Sequence, residues 1–226
     1  MLSIYQLLIN NGYVWETEPA EMQKDKHKVF IRHDVDVSLR MAYQLALTEK
    51  EVAVKSVFFV MVNSPFYNIQ EKEQNELLRK IHDRGFQIGL HANVQKDSHT
   101  DEIEALVQVQ RQILEISLGF PITLMSFHHP SAQERSLDFK DRSLFNVYRL
   151  SEFGILYLSD SNMKLDIRAL HAAVKQGKNM QILIHPVWWC SGVERPGDVW
   201  EKIIAEKVVE MRTIIESTER SYEGNS

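Results

Sequence analysis

Short continuous apolar runs alternate along the chain with longer segments in which apolar residues recur every three or four positions. The continuous runs are rich in branched and aromatic side chains, which is typical of strands buried on both faces. They lie at about residues 29–35, 54–62, 86–90, 124–127, 155–158 and 180–184. The segments between them have helical spacing, as at Leu39, Tyr43 and Leu47. Strands that alternate with helices usually pair in parallel, so the pattern predicts an α/β fold with a parallel sheet.

Two further helical segments lie near the ends of the chain. Residues 1–12 form a short amphipathic segment, and residues at about 198–218 carry one continuous apolar stripe. No internal repeat, low-complexity tract or linker interrupts the sequence, and 226 residues suit one domain of the α/β barrel size class. We therefore expect a single domain over residues 1–226 with its core at about 29–190.

The first predicted strand runs into two carboxylates two positions apart, in the segment His33-Asp34-Val35-Asp36. Because alternate side chains of a strand share a face, Asp34 and Asp36 should point the same way. Two neighbouring carboxylates repel each other, and a cation or a shared proton would relieve that repulsion. The alternative is an ordinary polar strand end followed by an aspartate helix cap.

Four later strands also end in residues that can carry out chemistry. Their endings are His91-Ala92-Asn93, His128-His129-Pro130, Ser159-Asp160-Ser161 and His185-Pro186. Residues at the carboxyl ends of parallel strands form the active site of a parallel α/β barrel. A single histidine in such a position is often structural, but five endings of this kind in one chain favour a shared site.

The composition narrows the classes of function. The net charge of -5 and a pI near 6.0 argue against nucleic-acid binding, which needs a basic face. Cys190 is the only cysteine, which excludes an intrachain disulfide and a zinc site built from several thiolates. The first residues do not read as a signal peptide, and no run approaches the roughly 18 apolar residues of a membrane span. We therefore expect a cytoplasmic protein with no membrane span.

The sequence lacks the glycine-rich and serine motifs of dinucleotide-binding, P-loop and α/β-hydrolase proteins. The carboxylates and imidazoles that remain suit a divalent ion such as Zn, Mn, Fe, Co or Ni. Metal-assisted hydrolysis needs a carboxylate ligand, a base and an acid, and Asp36, Asp34 and His185 can fill these roles. A nucleophile pair of Cys190 and His185 is an alternative, but the sequence offers no residue that would orient it.

The order of the strand endings resembles the polysaccharide deacetylase family with the NodB homology fold, of the carbohydrate esterase type. The resemblance rests on His33-Asp34-Val35-Asp36, Gly89-Leu90-His91, His128-His129-Pro130, Ser159-Asp160 and Leu183-Ile184-His185-Pro186. It covers residues 29–189 and is closest to the branch with an H-D-V-D first motif, some of whose members act in surface polysaccharide biosynthesis. It implies an irregular (β/α) barrel with parallel strands and outer helices. The implied reaction is metal-dependent removal of an N- or O-acetyl group from a sugar, with zinc as the expected metal.

The resemblance also implies a role for each matching residue. Asp34 corresponds to the catalytic base, Asp36 to the metal-binding carboxylate and His91 to the first metal-binding histidine. His185 corresponds to the general acid. Asp160 lies near the motif whose acidic residue orients catalytic groups.

The third and last motifs add further candidates. His128 occupies the place of an arginine in the family's third motif and is expected among the catalytic residues. His129 is a candidate for substrate binding. Trp188 and Trp189, which follow the last motif, could stack on a sugar ring, although simple packing explains them equally well.

One departure from the family concerns the metal ligands. The family's second metal-binding histidine lies four residues after the first, and Gln95 stands at that position here. Asn93 and His99 are candidates for the missing ligand, and His128 or His129 could approach across the site. Because an amide oxygen is a weaker ligand than imidazole for late transition metals, a degenerate metal site is the competing interpretation.

These observations lead to one main hypothesis and two alternatives. The main hypothesis is a metal-dependent hydrolase of carbon–nitrogen bonds other than peptide bonds. Its substrate would be an acylated sugar, sugar nucleotide or lipid-linked saccharide. The alternatives are a catalytically inactive barrel that binds a saccharide or a partner protein, and a metal-dependent hydrolase of a non-sugar C–N bond.

Overall fold

The computed structural model describes residues 1–94, 99–219 and 221. The chain divides into two compact units, Met1–Cys190 and Ser191–Ser226. The strands of the first unit are β1 (Val14–Trp15), β2 (Lys28–Val35), β3 (Ser56–Val60), β4 (Gln87–Ala92), β5 (Leu124–Phe127), β6 (Phe145–Asn146), β7 (Leu156–Ser159) and β8 (Met180–Ile184). Its α-helices are α1 (Leu2–Asn10), α2 (Leu39–Glu51), α3 (Lys72–Asp83), α4 (Thr100–Leu118), α5 (Ala132–Ser136), α6 (Ile167–Lys175) and α7 (Pro186–Cys190). Short 3₁₀ helices cover Pro19–Gln23, Val147–Phe153 and Ser161–Met163.

All the strands pair in parallel, in the order β6-β5-β4-β3-β2-β8-β7, with β1 beside the start of β2. This arrangement confirms the predicted fold class, an irregular (β/α) barrel with parallel strands and helices between them. In the described part of the chain, the two end strands β6 and β7 do not pair with each other. The curled sheet is therefore open on that side.

The central strand β2 is buried along its whole length and separates two apolar clusters. Val29 and Ile31 belong to the larger cluster, which also contains buried residues of helices α1 to α4. Phe30 belongs to a smaller cluster with Val57 and Phe59 of β3. Alternate side chains of a strand point to opposite faces, so the residues that continue the Phe30 face are Arg32 and Asp34. The same alternation that builds the core thus directs these charges toward one end of the inner face.

Strand β4 contains a glycine where its neighbours come very close. A Cβ atom at Gly89 would lie 2.6 Å from the ring of Phe59 and 3.0 Å from the carbonyl oxygen of Leu124. Both distances are at or below the closest approach that a real Cβ atom makes. The missing side chain therefore lets the Phe59 ring pack across β4, two residues before His91.

The second unit contains the helix α8 (Pro196–Thr218), which matches the predicted C-terminal helix. A proline in its first turn suits a helix start, because the missing N–H has no partner within the helix there. None of the described helices combines the length and the apolar character that crossing a membrane requires.

Candidate active site

A polar cleft of about 320 Å³ opens at the carboxyl ends of the strands of the first unit. Its acidic and imidazole groups are Asp34, Asp36, His91, His128, His129 and His185. These residues come from four of the five strand endings that the sequence singles out. Parallel strands bring their carboxyl ends to one edge of the sheet, so residues far apart in the sequence share this cleft.

Asp36, His91 and His128 form a triangle of potential metal ligands within the cleft. The Asp36 Oδ1 atom lies 3.1 Å from His91 Nε2 and 3.4 Å from His128 Nδ1. The two ring nitrogens lie 3.3 Å apart. Strand pairing explains the third corner: His91 is opposite Ser126 on β5, and His128 follows two residues later at the end of that strand.

The triangle has the dimensions of one face of a tetrahedral metal site. Ligands about 2.1 Å from a tetrahedral ion lie about 3.4 Å from one another, which is close to all three sides. Among the described residues, no group donates a hydrogen bond to the buried Asp36 Oδ1 atom. Burial raises the pKa of the Asp36 carboxyl. The rings of His128 and His91 lower it by more, so that the pKa lies well below its usual range. The carboxylate, one imidazole from each of two strands and the vacant coordination direction of Oδ1 suit a divalent transition metal.

Ser126 holds the ring of His91 through a hydrogen bond. The serine Oγ lies 2.7 Å from His91 Nδ1 and donates to Asp34 Oδ1 over 3.3 Å. Since the hydroxyl proton is directed to the carboxylate, Oγ accepts from Nδ1–H, and the ring's Nε2 is then without a proton. A ligating histidine typically has its other nitrogen hydrogen-bonded in this way. The sequence analysis did not identify Ser126, which precedes the third motif by two positions.

Asp34 lies beside the triangle without forming part of it. Its carboxylate is almost completely buried, and its Oδ2 atom accepts a hydrogen bond from Arg32 Nη2 over 2.7 Å. The His91 Nε2 atom is 3.8 Å from the same oxygen. Burial raises the pKa of the Asp34 carboxyl, but the Arg32 charge and the nearby histidines outweigh burial and lower it overall. At neutral pH Asp34 is therefore a charged carboxylate that can accept a proton.

The arginine beside Asp34 comes from the same strand, two residues earlier. Arg32 is fully buried, and its guanidinium also donates to the Tyr148 hydroxyl over 2.8 Å. Burial lowers the pKa of Arg32, but Asp34 and the neighbouring tyrosines Tyr148 and Tyr157 more than compensate, so the group stays charged. The sequence analysis missed this residue. Its position on the same strand face as Asp34 and Asp36 was the signal that could have revealed it.

His185 is held by Asp160 through both its ring and its backbone. The Nδ1 atom of His185 lies 2.6 Å from Asp160 Oδ1, and the His185 backbone N–H donates to Oδ2 over 2.9 Å. Trp189 Nε1 donates to Oδ2 over 2.7 Å. With Nδ1–H held by Asp160, the Nε2 atom is directed into the cleft, 3.8 Å from Asp36 Oδ2. Burial lowers the pKa of His185, but Asp160, Asp34 and Asp36 raise it overall, which favours the protonated ring.

Several candidates from the sequence lie elsewhere. Trp189 is occupied with Asp160, and neither it nor Trp188 lines the cleft. Asn93 and His99 do not line the cleft either. The backbone of Asn93 is bound by the Gln110 side chain, and His99 is the exposed N-cap of α4.

The remaining candidates from the sequence are Gln95, His128, His129 and Cys190. Gln95 lies outside the described residues. His129 does line the cleft, and His128 forms the third corner of the triangle. Cys190 does not line the cleft, and burial followed by the charge of Glu49 raises the pKa of its thiol to about 11. A thiol with this pKa is a poor nucleophile at neutral pH, which argues against the pair with His185.

No family model and no curated protein matches the chain. Among solved structures, a CE4 family pseudoenzyme from Bacillus anthracis is 16% identical with a TM-score of 0.49, and the match covers 82% of this chain and 62% of that one. The peptidoglycan deacetylase PdaC from Bacillus subtilis is 15% identical with a TM-score of 0.48, over 91% of this chain and 100% of that one. A family 4 acetyl xylan esterase from Clostridium thermocellum, in complex with a cobalt ion, is 15% identical with a TM-score of 0.48, over 80% and 84%.

This chain spans less than two thirds of the length of the pseudoenzyme. Sequence identity as low as 15–16% does not show that this chain shares the activity of these proteins. The function is therefore argued from the residues of the cleft.

Proposed function

We propose that this protein is a metal-dependent hydrolase that removes an acyl group, in the first place acetyl, from an N- or O-acylated sugar. The observation that carries the proposal is the Asp36–His91–His128 triangle, with Asp34 and His185 both next to it. A ligand set, an ionised carboxylate and a protonated imidazole within one small cleft are the groups that hydrolysis of an amide or ester needs.

The triangle would hold the metal, with zinc as the expected ion. When bound, a divalent cation would polarise the acyl carbonyl and lower the pKa of a water molecule. The distances between the donor atoms support this assignment, and so does the Ser126 contact that directs the lone pair of His91 Nε2 into the triangle. His128 supplies the imidazole that the sequence lacks at Gln95.

The two flanking residues would move the protons. Water adds to the acyl carbon, its proton passes to the Asp34 carboxylate, and the C–N or C–O bond to the sugar breaks. An amine is a poor leaving group unless it is protonated, and the His185 Nε2–H would supply that proton. Asp160 keeps the opposite nitrogen of the ring occupied, so only Nε2 can take part.

The wider setting is part of the same proposal. We infer a single catalytic domain over residues 1–226 in the cytoplasm, acting on a sugar nucleotide or a lipid-linked saccharide in surface polysaccharide biosynthesis. The H-D-V-D first motif supports the place in surface polysaccharide biosynthesis. The small size and polar lining of the cleft support a substrate that presents a small acyl group at one end.

The first experiment measures metal content after purification without added metal, together with acetate release from matched N-acetyl and O-acetyl sugars. We expect bound metal in the unaltered protein and a large loss of it in Asp36→Ala, His91→Ala and His128→Ala. The control is His171→Ala, which removes an exposed histidine of α6. A folded protein that holds no metal and releases no acetate would support the inactive barrel instead.

A metal-loaded protein that releases no acetate from any sugar, yet hydrolyses a simple N-acyl amine, would support the non-sugar C–N hydrolase.

A further inference from the structure

An arginine stands at the cleft, apart from the proposed catalytic groups. Arg135 lies on the short helix α5, lines the cleft and is solvent-exposed. In the described part of the chain, no carboxylate lies within ion-pairing distance of its guanidinium, although acidic residues are close in sequence. Asp138 pairs with Arg142 and Arg149, and the Glu134 carboxylate accepts a hydrogen bond from the Ser131 backbone N–H.

The ring of Tyr148 contacts both Arg135, which lines the cleft, and Arg32, which is fully buried and does not line it. The guanidinium carbon of Arg32 lies 4.3 Å from the ring centroid, and that of Arg135 lies 5.2 Å from it. An aromatic ring attracts each cation, but two guanidinium groups near one ring repel each other. Asp34 compensates the charge of Arg32. The charge of Arg135 has no such compensation, although the protein as a whole is acidic with a net charge of -5.

The segment that leads to Arg135 is held in an unusual backbone conformation. His129 lines the same cleft and has a φ of +48°, a left-handed value that non-glycine residues rarely adopt. The residue before a proline normally prefers an extended conformation, and Pro130 follows here. Strain of this kind is concentrated at ligand-binding sites. In this conformation the ring centroid of His129 lies 4.1 Å from that of His128, on the wall of the cleft.

We propose that Arg135 binds an anionic group of the substrate, a carboxylate or a phosphate carried by the acylated sugar. This inference rests on the proposed function, and it narrows the substrate class from acylated sugars in general to anionic ones. The planar guanidinium can donate two parallel hydrogen bonds to either group. Tyr148 holds the guanidinium by its ring face, which leaves the N–H edge available to the ligand.

The test compares three sugars that differ in charge: N-acetylglucosamine, N-acetylglucosamine 1-phosphate and N-acetylmuramic acid. We expect the unaltered, metal-loaded enzyme to have a higher kcat/KM for one or both anionic sugars. Arg135→Gln should lower that kcat/KM by about tenfold to a hundredfold, mainly through KM. It should change the kcat/KM for the neutral sugar by less than about twofold. The phosphate and carboxylate sugars distinguish the two sources of negative charge.

Two control variants sharpen the result. Arg135→Lys keeps the charge but loses the planar fork, so it should retain part of the preference for the anionic sugar. Arg142→Gln removes an exposed arginine that is paired with Asp138 and does not line the cleft, and it should change nothing. An equal loss for all three sugars in Arg135→Gln, or no loss for any, would overturn the anion site.

Binding of the same sugars, measured by titration calorimetry, separates this inference from the proposed function. If no sugar is hydrolysed but the anionic sugars bind more weakly to Arg135→Gln, the hydrolase fails and the anion site stands. If hydrolysis occurs and Arg135→Gln treats neutral and anionic sugars alike, the hydrolase stands and the anion site fails. If no anionic sugar is either bound or hydrolysed, the anion site is wrong.

Discussion

Strand β2 carries a histidine–carboxylate cluster on each of its faces, and the two clusters differ in how completely their polar atoms are paired. On the outer face, Tyr5, His33, Glu49 and Ser56 form a network that we call the closed network. On the inner face, Asp36, His91 and His128 form the triangle that opens to the cleft. Each cluster takes one member from this strand or the residue after it: His33 lies on β2, and Asp36 follows its last residue, Val35.

The closed network leaves none of its main polar atoms without a partner. His33 Nε2 lies 2.8 Å from Glu49 Oε1, and His33 Nδ1 lies 3.2 Å from the carbonyl oxygen of Ile184. The other carboxylate oxygen of Glu49 accepts from Ser56 Oγ over 2.6 Å, and the Tyr5 hydroxyl also donates to this carboxylate. His33 and Glu49 are fully buried, so water has no access to either group.

This contrast is the one expected between a structural cluster and a cluster that can bind a ligand. Where neighbouring protein groups satisfy every polar atom, a buried charge stabilises one conformation and has no capacity left for a ligand. The triangle instead has three potential ligand atoms within 3.4 Å of one another, and Asp36 Oδ1 accepts no hydrogen bond from a described residue. The predictions below test this contrast, from the largest expected effect to the smallest.

The largest effect should come from breaking the closed network. Glu49→Ala leaves His33, Tyr5 and Ser56 buried without their hydrogen-bond partner. Each buried polar group left unpaired typically costs about 1–3 kcal/mol, so the three together should cost at least about 3 kcal/mol. We expect the free energy of unfolding in urea, measured with a chelator present, to fall by that amount. Asp36→Ala is the matched variant and should cost less than about 1 kcal/mol under the same conditions, because its carboxylate has no complete set of partners. Equal losses in the two variants would remove the distinction between the clusters.

The second prediction concerns the carboxylate beside the triangle. Asp34→Asn should keep the metal and lower turnover by about 10²–10⁴-fold, the usual contribution of a general base. Bound metal and acetate release are measured on the same sample. If Asp34→Asn loses as much metal as Asp36→Ala, both carboxylates are ligands, and Asp34 is not the base.

The third prediction tests the buried arginine through the pH dependence of kcat/KM. Asp34 must be ionised to accept a proton, so activity should rise as the pH rises through its pKa. Arg32→Met removes the charge that lowers this pKa, and the acidic limb of the profile should move to higher pH. Arg32→Lys keeps the charge and should move the limb less. An unchanged acidic limb in Arg32→Met would show that Asp34 does not govern it.

The smallest effect should appear at the opposite limb. His185 must be protonated to act as an acid, so activity should fall as the pH rises through its pKa. Asp160→Asn removes the strongest contact that raises this pKa, and the alkaline limb should move to lower pH. The pH profile with an O-acetyl sugar is the internal control, because an alkoxide leaves more readily than an unprotonated amine. That profile should shift less than the profile with an N-acetyl sugar.

Much of the fold follows from local patterns in the sequence. The apolar runs mark six strands, and their parallel pairing follows from the helices between them. The convergence of Asp34, Asp36, His91 and His185 follows in turn, because carboxyl ends of parallel strands meet at one edge. These inferences need only the alternation of side chains along a strand and the order of strands and helices.

The partners of these residues depend on information that the local pattern does not contain. His128 reaches the triangle because β5 pairs with β4 in one register, with His91 opposite Ser126. A shift of that register by one residue would turn His128 to the other face. Arg32 is part of an apolar run, and its burial becomes understandable only when Asp34 and Tyr148 are known to contact it.

The pairing of β2 with β8 also governs when the protein can acquire its cleft during synthesis on the ribosome. Val29 and Ile31 pair with Met180 and Ile182, about 150 positions later in the chain. Until that part has been translated, one edge of β2 lacks its neighbour, and an unpaired apolar edge is prone to association with other chains. His185 follows β8 directly, so the proposed acid arrives together with the strand that closes this edge. A chain released before this point would lack both the pairing of β2 with β8 and the His185 side of the cleft. A chain that has completed this pairing therefore also carries His185.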